Sequence, residues 1–216
     1  MKFIIRIVPL LIFSLSVGAQ ESIDVQRPTM TESNTVISPK MIQAENGSVY
    51  SNDSMSFNTF VRFGVTERLE FRVASSFDSP FITFGGKVFI SEGKKALPGL
   101  SFAMDYSLLK GTQNYVLSAT GAPTDNLFYT LNFGNDRDWW GIVLLGYSLG
   151  KAAIFGEYKL HENYEQINAG ITYIIKGEVQ LDVHGGLIDY KDPYVGAGFA
   201  FRLKPFRVKA PFVNPF

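Results

Sequence analysis

The feature that most restricts this chain is a period of two. From Met41 to Leu203, apolar and polar residues alternate in segments of about eight to eleven, separated by short polar or Gly- and Pro-bearing turns. A strand points successive side chains to opposite faces, so each segment has one apolar and one polar face. Leu69, Phe71 and Val73 share a face, opposed to Glu70, Arg72 and Ala74. Leu100, Phe102, Met104, Tyr106 and Leu108 are likewise opposed to Ser101, Ala103, Asp105 and Ser107, and Ile167, Ala169, Ile171, Tyr173 and Ile175 to Asn168, Gly170 and Thr172. No segment keeps apolar residues at i, i+3, i+4 and i+7 long enough to make a helix. The expectation is an all-β chain of antiparallel hairpins with about twelve strands, at 40–50, 56–65, 68–75, 81–91, 99–109, 115–120, 126–134, 139–149, 152–160, 166–175, 179–186 and 193–203. The sixth is the least marked.

Alternation suits a soluble β-sandwich as well as a membrane barrel, and strand length separates them. Soluble strands average about 5–6 residues, whereas a tilted strand crossing hydrocarbon needs about 9–11, nearer to most segments here. Lipid also forbids an open sheet edge, because unpaired N–H and C=O groups find no water there, and an even number of strands closes with both termini at one end. Phe57, Tyr106, Tyr129, Trp139, Tyr147, Tyr158 and Tyr173 fall on apolar faces, several near strand ends where an interfacial girdle would lie.

The N-terminus agrees with export. Lys2 and Arg6 precede an apolar run from Ile7 to Val17 that closes on Gly18-Ala19, the pattern of a secretory signal at 1–19 with cleavage before Gln20. Pro9 interrupts that run, and it is shorter than the roughly 20 residues a spanning helix needs. Residues 20–39 read as a periplasmic segment, 40–203 as a transmembrane barrel and 204–216 as a tail in which Pro205, Pro211 and Pro215 forbid a regular ladder strand. With 20 basic and 20 acidic residues the chain lacks the basic stripe that nucleic acid requires. It has no cysteine, hence neither disulfides nor thiolate chemistry, and only His161 and His184 as imidazole ligands.

The tightest turns, at 65–67, 150–151 and 176–178, fall at one end of the expected meander, as inner-side turns do, while 91–98 and 121–125 at the same end are longer. A three-residue loop at 65–67 sets Arg62 opposite Glu70 and predicts an ion pair inside the barrel. A turn centred on Gly177 sets Ile174 opposite Gln180 and Thr172 opposite Asp182.

Several stretches resemble an outer-membrane "transporter" family named for the meta-pathway of phenol degradation. Arg27-Pro28-Thr29-Met30-Thr31-Glu32-Ser33 is similar to that family's R-P-D-x-T-E-S start, with Thr29 and Met30 departing from the usual acidic pattern. Lys40 to Gly47 resembles its first strand, Val61 to Arg72 its "LLRYGLTDRLELR" hairpin, Gly86-Lys87 and Leu97 to Ser101 its fourth and fifth strands, Val179 to Gly186 its "QLDLSAGYG" strand and Gly196 to Phe201 its last. The resemblance implies a barrel of about twelve strands in the outer membrane and no particular substrate. Such barrels commonly end on an aromatic that the assembly machinery reads. The sequence ends on Phe216, but with the three prolines before it either Phe201 serves as that signal or the tail docks elsewhere, across the periplasmic mouth.

The expected inward set is Gln43, Glu45, Arg62, Glu70, Arg72, Lys87, Asp105, Glu157, Lys159, Asp182, His184 and Arg202. These residues suit either an ion-pair network that fixes register or the lining of a solute path. Twelve strands lie between filled eight-stranded barrels and open sixteen-stranded ones, so strand count does not choose. Asp182 and His184 share a face and invite a hydrolase reading, but Ser101 and Ser107 sit several strands away and no G-x-S-x-G elbow occurs. Gly85-Gly86 and Gly185-Gly186 do not lie between a strand and a helix start, so they are not phosphate cradles. The expectation is a porin-like, non-enzymatic protein without cofactor or metal, passing a small solute, apolar or aromatic. The alternatives are a lumen-filled structural barrel and an exported soluble β-sandwich binding protein. Outer-membrane lipid and the assembly machinery are the expected partners.

Overall fold

The computed structural model describes residues 25–77, 81–176 and 178–203. The signal and tail, 1–19 and 204–216, lie outside the described residues. Twelve strands follow in order: β1 (Ile42–Ser51), β2 (Ser54–Thr66), β3 (Leu69–Ser76), β4 (Phe81–Ser91), β5 (Gly99–Ser107), β6 (Thr112–Gly121), β7 (Leu127–Asn135), β8 (Trp139–Leu149), β9 (Ala152–His161), β10 (Tyr164–Lys176), β11 (Val179–Ile188) and β12 (Asp192–Leu203). Each pairs antiparallel with its sequence neighbours, and β1 pairs with β12, so the sheet closes into an up-and-down barrel. A soluble sandwich is thereby corrected: among the described residues there is one closed sheet and no second layer against which Leu69, Phe71 and Val73 pack.

Burial is inverted relative to a water-soluble protein. Leu145 is 60% exposed and Phe133 56%, while Glu45, Glu70 and Lys87 are fully buried. The apolar faces of the strands look outward and the charged faces inward. One sector of the interior is apolar as well: Ala103, Val116, Trp140 and Ile142 form a buried cluster, with Met30 against it. Strands there carry apolar residues on both faces, which is why β6, with Val116 inside and Leu117 outside, alternates least clearly.

Two registers test the turn arguments. Ile174 opposes Gln180 and Thr172 opposes Asp182, as expected. Arg62, however, opposes Arg72, and Glu70 opposes Gly64, because the register shifts between Gly64 and Thr66. The connection is a two-residue turn with Val65 bulged out, not a three-residue loop. Residues 38–41 cross at this point: Lys40 N–H donates to the Gly64 carbonyl at 2.8 Å and Gly64 N–H to that of Met41 at 3.0 Å. A Cβ on Gly64 would lie 2.1 Å from the Ser38 carbonyl oxygen, so only glycine admits this approach.

Connections are short at both ends. The longest, 92–98 and 122–126, share an end with the tight turns at 67–68 and 150–151, so loop length does not orient the barrel. Of the segment read above as periplasmic, residues 25–39 are described. Gln26, Thr31, Asn34 and Ile37 are buried, and residues 25–39 run inside the barrel.

Candidate functional site

Alternation within the strands brings the inward side chains together. Ten of the twelve expected residues are buried, at 8% exposure or less, while Asp105 and Lys159 are partly buried. Arg202 Nε donates to Gln43 Oε1 at 3.0 Å, and Gln43 Nε2 to Glu45 Oε1 at 2.8 Å. Arg62 lies 3.4 Å from Glu45 and donates from Nε and Nη2 to Glu70 at 3.0 and 2.9 Å. The ion pair expected between Arg62 and Glu70 therefore forms diagonally. Arg62 and Arg72 are cross-strand neighbours of like charge, which the acids around them offset: Arg72 donates to Asp105 at 2.7 and 2.5 Å and to Glu32 at 2.9 Å.

The N-terminal segment completes this network. Glu45 accepts the backbone N–H groups of Gln26 and Arg27 at 3.0 and 2.9 Å. Glu157 accepts those of Met30 and Thr31 and the Thr31 hydroxyl, at 2.9–3.1 Å, together with Asn168 Nδ2 at 2.9 Å. Glu70 accepts Ile37 N–H at 3.0 Å. Asn132 accepts Glu32 N–H at 2.7 Å and donates to its carbonyl at 2.9 Å. Lys87 and Ser101 both donate to the Ser33 carbonyl at 3.1 Å. Gln180 and Asn168 donate to the carbonyls of Arg27 and Pro28. A segment with no strand partner thus satisfies its backbone on wall side chains, as burial requires. Its partners lie on β1, β3, β4, β5, β7, β9, β10 and β11, and Thr120 of β6 accepts Asn34 N–H. It is a belt around the inner wall.

Glu32 is the belt's centre of charge. Burial pushes its carboxyl up, but Arg72, Lys87 and Arg62 outweigh that and hold it at about 2. Gln26 also donates to it. Eleven of the expected residues join this network directly or through the belt. Lys159 stands apart, donating to the Tyr164 hydroxyl at 2.8 Å and lying over the Trp140 and Tyr164 rings.

Two cavities border the belt among the described residues. One of about 350 Å³ lies near the turn at 150–151, with Phe128, Lys151, Phe155, Thr172 and Gln180 in its lining. The other, about 240 Å³, is lined by Glu45, Asn58, Phe60 and Ser75 among others. Arg27 and Thr29 line both, so the turn at Gln26–Thr29 stands between them.

His184 pairs through Nδ1 with Asn168 Oδ1 at 3.2 Å, and Asp182 faces Arg27 at 3.6 Å. Ser101 is engaged by the Ser33 carbonyl. His161, at the end of β9, lies 3.4 Å from Asp136 and stacks on Tyr164. Among the described residues no three His, Asp or Glu side chains group as metal ligands. Asn132 and Asn168, on the polar faces of β7 and β10, were left out of the inward set, and sequence reasoning missed Arg27, Thr31 and Glu32 as interior residues. The signal available was a polar, motif-bearing segment rich in hydrogen-bonding side chains, ahead of the first strand.

No family model and no curated protein matches the chain, so the resemblance to the phenol-pathway family rests on its motifs. Solved structures do match. The KdgM porin superposes with a TM-score of 0.61 at 12% identity, covering 74% of this chain and 98% of that one. The fold is that of a twelve-stranded porin. The KdgM porin in complex with disordered oligogalacturonate gives 0.60 at the same identity and coverage. The Acinetobacter baumannii outer membrane protein Omp33 gives 0.50 at 10% identity, covering 76% and 98%. At these identities the likeness is one of fold.

Proposed function

We propose that this chain is an outer-membrane channel through which a small solute passes passively, its bore narrowed by residues 25–39. The observation that carries this reading is the pair of cavities left open along a closed barrel that is apolar outside and charged within. Water does not favour such an exterior, whereas the hydrocarbon of a bilayer does. The end where β1 begins and β12 finishes would face the periplasm, following export through a signal cleaved before Gln20, and N-terminal sequencing of the mature protein tests that cleavage. An apolar or aromatic solute is supported by the motif resemblance alone. No catalytic role is proposed for Asp182 and His184.

A second reading is favoured by the belt itself: with so much of the lumen hydrogen-bonded, the barrel is filled and serves the envelope mechanically. Recording the purified protein in a planar lipid bilayer separates the two. Small, discrete conductance steps support the channel. Silence from the full chain, with conductance appearing only in a variant lacking residues 25–36, supports the filled barrel.

A further inference from the structure

The belt is not held equally along its length. Glu157 and Glu32 are saturated with donors, whereas Nε and Nη2 of Arg27, both carboxylate oxygens of Asp182 and Nε2 of His184 have no hydrogen-bond partner among the described residues. The turn between the two cavities is held through its backbone by Glu45, Asn168 and Gln180, so the group left there without hydrogen bonds is the Arg27 side chain.

What seats the Arg27 side chain is shape. Gly47 of β1 and Gly198 of β12 are cross-strand partners on the inner face. A Cβ on Gly47 would stand 2.0 Å from both Cζ and Nη2 of Arg27, and its three nearest atoms all belong to that guanidinium. One on Gly198 would stand 2.7 Å from Arg27 Nε. The paired glycines form a niche for this one side chain, with Asp182 as its counter-charge.

We propose that Arg27, seated on Gly47 and Gly198, is the positioning residue that keeps the Gln26–Thr29 turn between the two chambers, so that unseating it joins them. The consequence for passage rests on the channel reading above, and the seat itself does not. The chain has no cysteine, so Thr29→Cys is a clean reporter. Its rate of modification by a water-soluble methanethiosulfonate is read in lipid vesicles, with bilayer conductance alongside.

Gly47→Ala fills the niche without touching Arg27, and Arg27→Ala empties it. Each is expected to raise the modification rate about tenfold. The double variant is expected to go no further than either alone, since both break one interaction. Arg27→Lys, which keeps the charge on a narrower head, should fall between. To separate the effect of Gly47→Ala from misfolding, Arg27→Ala in the same background checks it: a folded barrel tolerates the methyl once the guanidinium is gone. An unchanged rate in Gly47→Ala, or effects that add, overturns the seat whatever the bilayer records. Raised rates over a silent bilayer support the seat and overturn the channel.

Discussion

Glu32 sits where three cations converge in the barrel, and its behaviour with pH follows from that company. Its carboxyl is held well below the ordinary value of 4.5, at about 2. Stability from such a group is fully present above the ordinary value and is lost as pH falls towards the depressed one. The hydrogen-exchange protection of the Glu32 amide, corrected for intrinsic rate, should therefore be flat from pH 8 to about 5 and decline only below that. Glu32→Gln leaves Lys87 buried without its counter-charge and should cost about 3 kcal/mol or more, measured by urea unfolding in lipid vesicles. The inward strand residues were legible from parity alone, because a strand leaves a side chain only two directions. Arg27 and Glu32 were not, since a segment without period gives no rule for direction. Their placement depends on wall carboxylates that come together only when the barrel closes.

Among the elements, β8 states the solvent argument most sharply. Val143, Leu145 and Tyr147 are exposed while Ile142 and Leu144 are buried, so both faces are apolar and only the outer one meets lipid. Leu145→Arg, mid-strand and outward, should cost about 2–4 kcal/mol in the same unfolding measurement, as charged residues do at a bilayer midplane. On a solvated face it would be near neutral. All twelve strands were visible in the sequence because length and alternation agree. The β2–β3 register was not, because a bulge and a loop residue look alike until the chain at 38–41 is seen lying on Gly64. The belt behaves as an element too. Deleting residues 25–36 removes the belt's donors to Glu157 and Glu45 and should raise single-channel conductance severalfold over the full chain, in a barrel that still shifts its gel mobility on heating.

For the whole molecule, the claim beneath every other is that the exterior faces hydrocarbon and the interior faces itself. Closure of β1 on β12 makes this possible, since it leaves no backbone edge for lipid to meet. The fold and its class were legible because a membrane imposes length, parity and inversion together. The occupied lumen was not, because nothing in a strand count says what a barrel of this size contains. The most direct test places single cysteines along β8, labels each with a small fluorophore and reconstitutes the protein in vesicles of brominated lipid. Strong quenching at 143, 145 and 147 with little at 142, 144 and 146 is the expected result. Quenching without that alternation, or none at any position, would contradict the account.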